Sequence, residues 1–451
     1  MLGHLPQFKA GPKHQVLEHW VAECGDLFRI HFAGKPFVVS ADPQINGEIL
    51  RQRPAAFQRY AKISEILEEM GILGVFNAEG EQWKRLRKPT AEALNLRKTK
   101  AFYPIIGRKA QQLIERWNDY ASHDQTIDVT KEIMRFTIDV TTAVAFGYPL
   151  DTLGGQDDVF QQHLELIFPM VNQRMSAAIP WWRWIKTGKD KKLDEALKAI
   201  QALIHTFIEE ARDRLEQQPE RKEHPANFLE ALLVEQKQEG FSEQEIYSTI
   251  FTLLLAGEDT TANSISWAIY FLARHPEIVE KVRAEALAVY SHQNVPDSTG
   301  QLDQLEYALA VAQETIRLKP TSPQLIMQAT EDIQVGPLFL PKGTNIFLQN
   351  KVAQTREAHF SDADQFVPDR WLKGGCPAHY NHSSELIRAF GGGPRFCPGK
   401  HLATYEMVTV ISALCYHFGF SLEGNPEKVK EGFAFTMHPE GLMVRIDIKK
   451  R

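Results

Sequence analysis

A mainly α fold with a smaller β portion is predicted by three observations on this 451-residue chain. Apolar residues spaced three and four apart run through most of it. One unbroken helical stretch, residues 241–277, is long enough to cross the whole molecule. Only three segments carry β-rich runs around glycine and proline. They are LFRIHFAGKPFVVS (27–40), a hairpin about a Gly34-Lys35 turn, IQVGPLFLPKGTNIFLQ (333–349) and GFAFTMHPEGLMVRIDI (432–448). Each of the last two is read as runs paired within the segment.

Among the helices, KKLDEALKAIQALIHTFIEEARDRLEQ (191–217) shows a plain amphipathic stripe. The stretch FSEQEIYSTIFTLLLAGEDTTANSISWAIYFLARHPE (241–277) opens with Ser242 and Glu245 in capping-box register and stops at His275-Pro276. Its IFTLLLA run is apolar nearly all round, which places it in the interior. At 1.5 Å per residue the helix spans on the order of 45 Å. Within it, AGEDTTA (256–262) sets a glycine and two threonines where a helix disfavours them. Two readings stay open: Ala256 and Gly257 admit a flat ligand while Asp259 and Thr260 move protons, or the segment is a kink with back-bonded threonines.

Downstream, QETIRLKPTSP (313–323) puts Glu314 and Arg317 on one helix face, either as a solvated surface pair or as part of a buried network with Arg370 of DADQFVPDRW (362–371). Finally FGGGPRFCPG (390–399) spends five of ten positions on glycine or proline around Cys397. Such backbone control suits a cysteine that must aim its sulfur.

The net charge of -6 argues against a general nucleic-acid binder. Four scattered cysteines, Cys24, Cys376, Cys397 and Cys415, form neither a zinc pattern nor a disulfide framework, and a reducing, intracellular setting fits them. The N-terminus shows no signal core, and no apolar run reaches transmembrane length, so a soluble, cytoplasmic protein without a membrane anchor is expected. Without repeats, and with Pro-containing loops (216–226, 292–300, 372–384) short enough to be surface connections, residues 1–451 are expected to form one domain. No fused reductase module is expected after the last β segment.

Taken together, FGGGPRFCPG, AGEDTT, ETIR and FVPDRW, in this order, resemble the four signatures of the cytochrome P450 haem-thiolate monooxygenases, here of a soluble, bacterial type. Phe390, Gly393, Arg395, Cys397 and Gly399 match the family's FxxGxRxCxG. The resemblance implies that Cys397 is the axial iron ligand of haem b (iron protoporphyrin IX), shielded by Phe390. The turn through Gly399 would aim N–H groups and a helix N-terminus at the sulfur and lower its pKa. It implies that Arg395 holds a haem propionate, helped by Trp83 and Arg87 of EQWKRLRKP (81–89), which is similar to the family's WxxxR. Glu314, Arg317 and Arg370 would brace the proximal side. Two departures stand out: PQLIMQAT (323–330) lacks the basic residue often found there, and no histidine precedes Arg356.

The implied activity is insertion of one oxygen atom from O2 into a hydrophobic organic substrate. Thr260 would position the proton-donating water and Asp259 relay protons. Electrons would come from a separate ferredoxin- or flavodoxin-like protein or a reductase, docking near Lys84, Arg85, Lys88 and Lys400. Substrate contacts are expected from residues 60–78, 167–184, 251–256, 321–327 and 433–435, with Trp181, Trp182 and Trp184 rimming a channel, touching a membrane or packing. A haem-thiolate isomerase or dehydratase needing no electrons, and a haem sensor or carrier, are the alternatives.

Overall fold

The computed structural model describes residues 3–148, 150–155, 159–177, 179–291, 293–374 and 382–449. Cys376 and most of the 372–384 loop lie outside the described residues. Helix accounts for 59% of the structure, with small sheets beside it. The central helix runs Glu243–Leu272, opened by the expected capping box: the Ser242 hydroxyl accepts from the Glu245 N–H and the Glu245 carboxylate accepts from the Ser242 N–H. Pro276 begins the following helix, Pro276–Val289. Helix Gly188–Gln217 starts three residues earlier than the apolar stripe suggests, because a second capping box, Thr187 with Asp190, sets its end.

The central helix packs along Val129–Phe146, and also meets Glu306–Leu318 and Lys400–His417. These helices share one large hydrophobic core reaching from Ile63 to Ile446. Two smaller clusters lie against the main sheet. No helix among the described residues is long and apolar enough to cross a membrane.

The main sheet has five strands in the order Leu27–Phe32, Lys35–Ser40, Asn345–Leu348, Leu325–Ala329, Phe57–Arg59. Its first two strands are the expected N-terminal hairpin. The other two β segments divide differently from expectation. Ile333–Val335 and Leu338–Leu340 do pair with each other, but Asn345–Leu348 leaves them to run parallel to Lys35–Ser40. In the last segment, Met437–Glu440 pairs with Lys430–Phe433, whereas Met443–Ile448 pairs with Phe418–Leu422 and Ile127–Asp128. An alternating pattern specifies a strand and its buried face, while the partner is chosen by packing across the whole chain.

Candidate active site

Residues 390–399 fold as the glycines require. Gly391 and Gly393 take φ of 74° and 64°. A Cβ on Gly393 would lie 2.0 Å from the Leu50 carbonyl oxygen, so only glycine lets this loop sit flush on helix Pro43–Arg51. The Cys397 N–H donates to the Phe390 carbonyl at 2.9 Å and closes the loop. Gly399 then caps helix Lys400–His417, with its N–H directed at the Cys397 sulfur. The Phe390 ring is half-buried, with the Lys400 ammonium 5.9 Å from its centre. Burial pushes the Cys397 thiol up, and the Gly399 N–H and the Arg87 charge pull against it without prevailing. The lowered pKa expected from the loop is therefore not reached by polypeptide alone. A cation on the sulfur is what its ionisation lacks.

Next to the loop, three arginines converge on one carboxylate. The Arg395 guanidinium pairs with Glu79 and donates to the Ala78 carbonyl at 2.7 Å, stacked 4.9 Å from the Trp83 ring centre. Arg53 reaches Glu79 at 3.4 Å, while its own Nε is buried without a hydrogen-bond partner. Arg59 lies in the same group, with its Nε on the Phe76 carbonyl at 3.2 Å and its backbone N–H on Glu79 at 2.9 Å. Burial lowers the pKa of all three, and crowding by like charges lowers Arg59 and Arg395 further, the latter to about 9. Two positive charges thus remain without a carboxylate. Neither Arg53 nor Arg59 belongs to a recognisable motif, and composition offers no signal for them. Arg87, expected beside this group, instead donates to the Phe396 carbonyl at 2.8 Å, on the cysteine loop itself.

On the central helix the four candidate residues face different ways. Ala256 is exposed. Gly257 is not a clearance for a flat ligand: a Cβ there would meet Thr141 Oγ1 at 2.8 Å and Cγ2 at 2.9 Å, so the glycine admits helix Val129–Phe146 instead. The Asp259 carboxylate bonds the Thr436 hydroxyl, and burial raises its pKa against the opposing pull of Thr436 and His438. The Thr260 hydroxyl donates to the Ala256 carbonyl at 2.7 Å, the back-bond of the kink reading, which leaves its oxygen lone pairs as acceptors. A chain of contacts joins this helix to the cysteine loop: Arg395 to the Phe76 carbonyl at 3.4 Å, Phe76 to Phe435 with ring centres 6.0 Å apart, and neighbouring Thr436 to Asp259.

Glu314, Arg317 and Arg370 form the buried network rather than a surface pair. Arg317 makes two 2.8 Å bonds to the Glu314 carboxylate and caps the carbonyls of Gln354, Ala363 and Gln365. Arg370 meets Glu314 at 3.1 Å and the Ser361 carbonyl at 2.8 Å, and Trp371 Nε1 adds a 2.9 Å bond to Glu314.

The profile of the cytochrome P450 family matches residues 1–446. The chain belongs to the cytochrome P450 family. Its similarities include Protein LUTEIN DEFICIENT 5, chloroplastic, of Arabidopsis thaliana (26% identical, over 94% of this chain and 72% of that protein) and Cytochrome P450 86B1 of the same plant (26%, 99% and 84%). A third is 11-oxo-beta-amyrin 30-oxidase of Medicago truncatula (28%, 81% and 70%). All three are plant proteins, so the expected bacterial type finds no support. This P450 is a monooxygenase, and its family implies a haem-thiolate cofactor, O2 and a redox partner.

The residues present fit such a cofactor. A macrocycle carrying two carboxylates would supply the negative charge that Arg53, Arg59 and Arg395 lack, and its iron the cation that the Cys397 sulfur lacks. Elsewhere the P450 departs from expectation. Three of the four residues of the expected basic docking face are already paired: Lys84 with Glu81 at 2.6 Å, Lys88 with Glu239 at 3.3 Å, and Arg85 with Glu245. Trp182 is buried, donating to Glu69 at 2.8 Å, whereas Trp184 is 71% exposed. Arg356, without its histidine, pairs with Asp26.

Proposed function

We propose that the cofactor is haem b, whose iron Cys397 would hold through its sulfur and whose propionates Arg395, Arg53 and Arg59 would hold, in a single domain that oxidises a hydrophobic small molecule. The observation that carries this reading is the cysteine loop set beside three buried arginines with one carboxylate between them. When bound, haem supplies reductive activation of O2, with one oxygen atom going into the substrate and the other leaving as water.

Around it the chain's own groups have separable tasks. The Gly399 N–H and Arg87 favour the thiolate form of Cys397. Trp83 packs on Arg395 and keeps its guanidinium in place. The Thr260 oxygen accepts from a water, holding a proton donor on the exposed Ala256 side of the helix. Asp259, bonded to Thr436 near His438, passes protons inward from the strand Met437–Glu440. Electrons come from a separate ferredoxin- or flavodoxin-like protein or a reductase, with exposed Lys400 beside the cysteine loop as its contact. The free thiols of Cys24 and Cys415 support a cytoplasmic setting, as a reducing compartment preserves them.

The reduced carbon-monoxide difference spectrum tests the ligand. The parent chain should show the red-shifted band of a thiolate-bound iron, and Cys397→His should shift it to that of an imidazole. A parent spectrum without the thiolate band overturns the reading.

A further inference from the structure

A cavity of about 670 Å³ lies beside the site just described, within the size range of small-molecule pockets. Its inner end is aromatic. Phe76 stacks on Arg59 and touches Phe435, and Phe435 precedes the Thr436 that bonds Asp259. The inner end of the cavity thus abuts Phe435, whose chain neighbour Thr436 bonds Asp259 beside Thr260.

Its outer part is basic. Lys9, Lys13, Lys35 and Lys62 all line it. The one acid among the described lining residues, Glu65, faces Arg183 at 3.7 Å. The Lys13 ammonium donates to Ser176 Oγ at 2.5 Å and to Asn172 Oδ1, and the Lys62 ammonium donates to the carbonyls of Met175 at 3.0 Å and Ala177 at 2.6 Å. These acceptors are neutral, so they orient the two ammonium groups without cancelling their charge. Each ammonium has three donors, so one remains for a ligand. Anchoring of helix Ile167–Ser176 accounts for Lys13 and Lys62, but not for Lys9 and Lys35, which bring the same charge to this cavity from other parts of its wall. Burial draws Lys13 down to about 8, and the like charges of Lys9 and Lys62 add to that shift.

We propose that this cavity takes an elongated apolar molecule with a carboxylate at one end, the carboxylate held by Lys13 and Lys62 with Lys9 and Lys35 around it, and the apolar body directed inward past Phe76 and Phe435. Oxidation then falls on the part of the body remote from the carboxylate. A C–H bond becomes C–OH, one atom of O2 entering the product and the other leaving as water, with two electrons from the redox partner and two protons. This rests on the monooxygenase site proposed above and adds its substrate class.

The test is titration of the purified holoenzyme with dodecanoate, methyl dodecanoate and dodecyltrimethylammonium, following the substrate-induced shift of the haem absorption band. Dodecanoate should bind about tenfold more tightly than its ester, and the cation more weakly than either. Lys13→Gln, and separately Lys35→Glu at an exposed position, should weaken dodecanoate by about tenfold and leave the ester within about twofold. Product analysis should find hydroxyl groups in the half of the chain distant from the carboxylate. Equal binding of acid and ester, binding of neither, or variants that weaken both alike would overturn the proposal. The carbon-monoxide spectrum of the same preparation separates the cases: with the thiolate band present, any of these results rejects the substrate class alone. Without that band the proposed site itself fails, and the substrate class falls with it.

Discussion

Single side chains carry the sharpest expectations. The Thr260 hydroxyl donates to the Ala256 carbonyl within its own helix, so Thr260→Ala removes that back-bond and an acceptor for water. Substrate affinity should stay within about twofold, while reductant consumption diverts to hydrogen peroxide or extra water, a loss of coupling that general acid–base steps make about tenfold or larger. Unchanged product per reductant would remove Thr260 from proton delivery. Glu406, fully interior on helix Lys400–His417, gives a pH prediction. Burial holds its carboxyl well above the usual range, and its Oε2 has no partner, so it folds protonated. Unfolded, it ionises near about 4.3, and above that pH folding must take up a proton. Stability then falls by about 1.36 kcal/mol per pH unit until the folded-state value is passed. Glu406→Gln should therefore gain on the parent in urea melts as pH rises from about 5 to about 8.

At the scale of elements, the joints between them are held by contacts that tolerate little change. Arg317 ties helix Glu306–Leu318 to the carbonyls of three residues between 354 and 365, with no exposure on either partner of its ion pair. Arg317→Ala leaves Glu314 buried with less compensation, at a cost of about 3–5 kcal/mol. Haem content after purification and the thermal midpoint should both drop, and a variant that retains parental haem would show the brace to be dispensable. Gly393→Ala sets a Cβ against the Leu50 carbonyl at a positive φ. It should lose the thiolate spectrum while helical circular dichroism persists, because the strain is confined to the loop and its seat on Pro43–Arg51.

Across the whole molecule, the basic residues expected to meet the electron donor, Lys84, Arg85 and Lys88, are paired with acids of the same chain. Reduction should therefore slow only modestly with ionic strength, by about twofold to threefold between low and physiological salt. A steep fall would mean that Lys84, Arg85 and Lys88 exchange their internal partners for the donor's acids.

Legibility of the fold and site from sequence differs by kind of residue. The cysteine loop, the Ser242–Glu245 capping box and the Glu314–Arg317 spacing were all visible in the sequence, because each is a demand that neighbours in the chain place on one another: a positive φ, an orphan helix N–H, two side chains on one face. Gly257 was legible as an anomaly but not in its cause, since only Thr141, more than a hundred positions away, shows that the missing Cβ serves helix packing. The partner of Met443–Ile448, the gathering of Arg53, Arg59 and Arg395 on Glu79, and the four lysines around one cavity were decided by tertiary structure alone. Like-charged groups come together only where distant segments are packed and solvent is excluded, and no local pattern records that meeting.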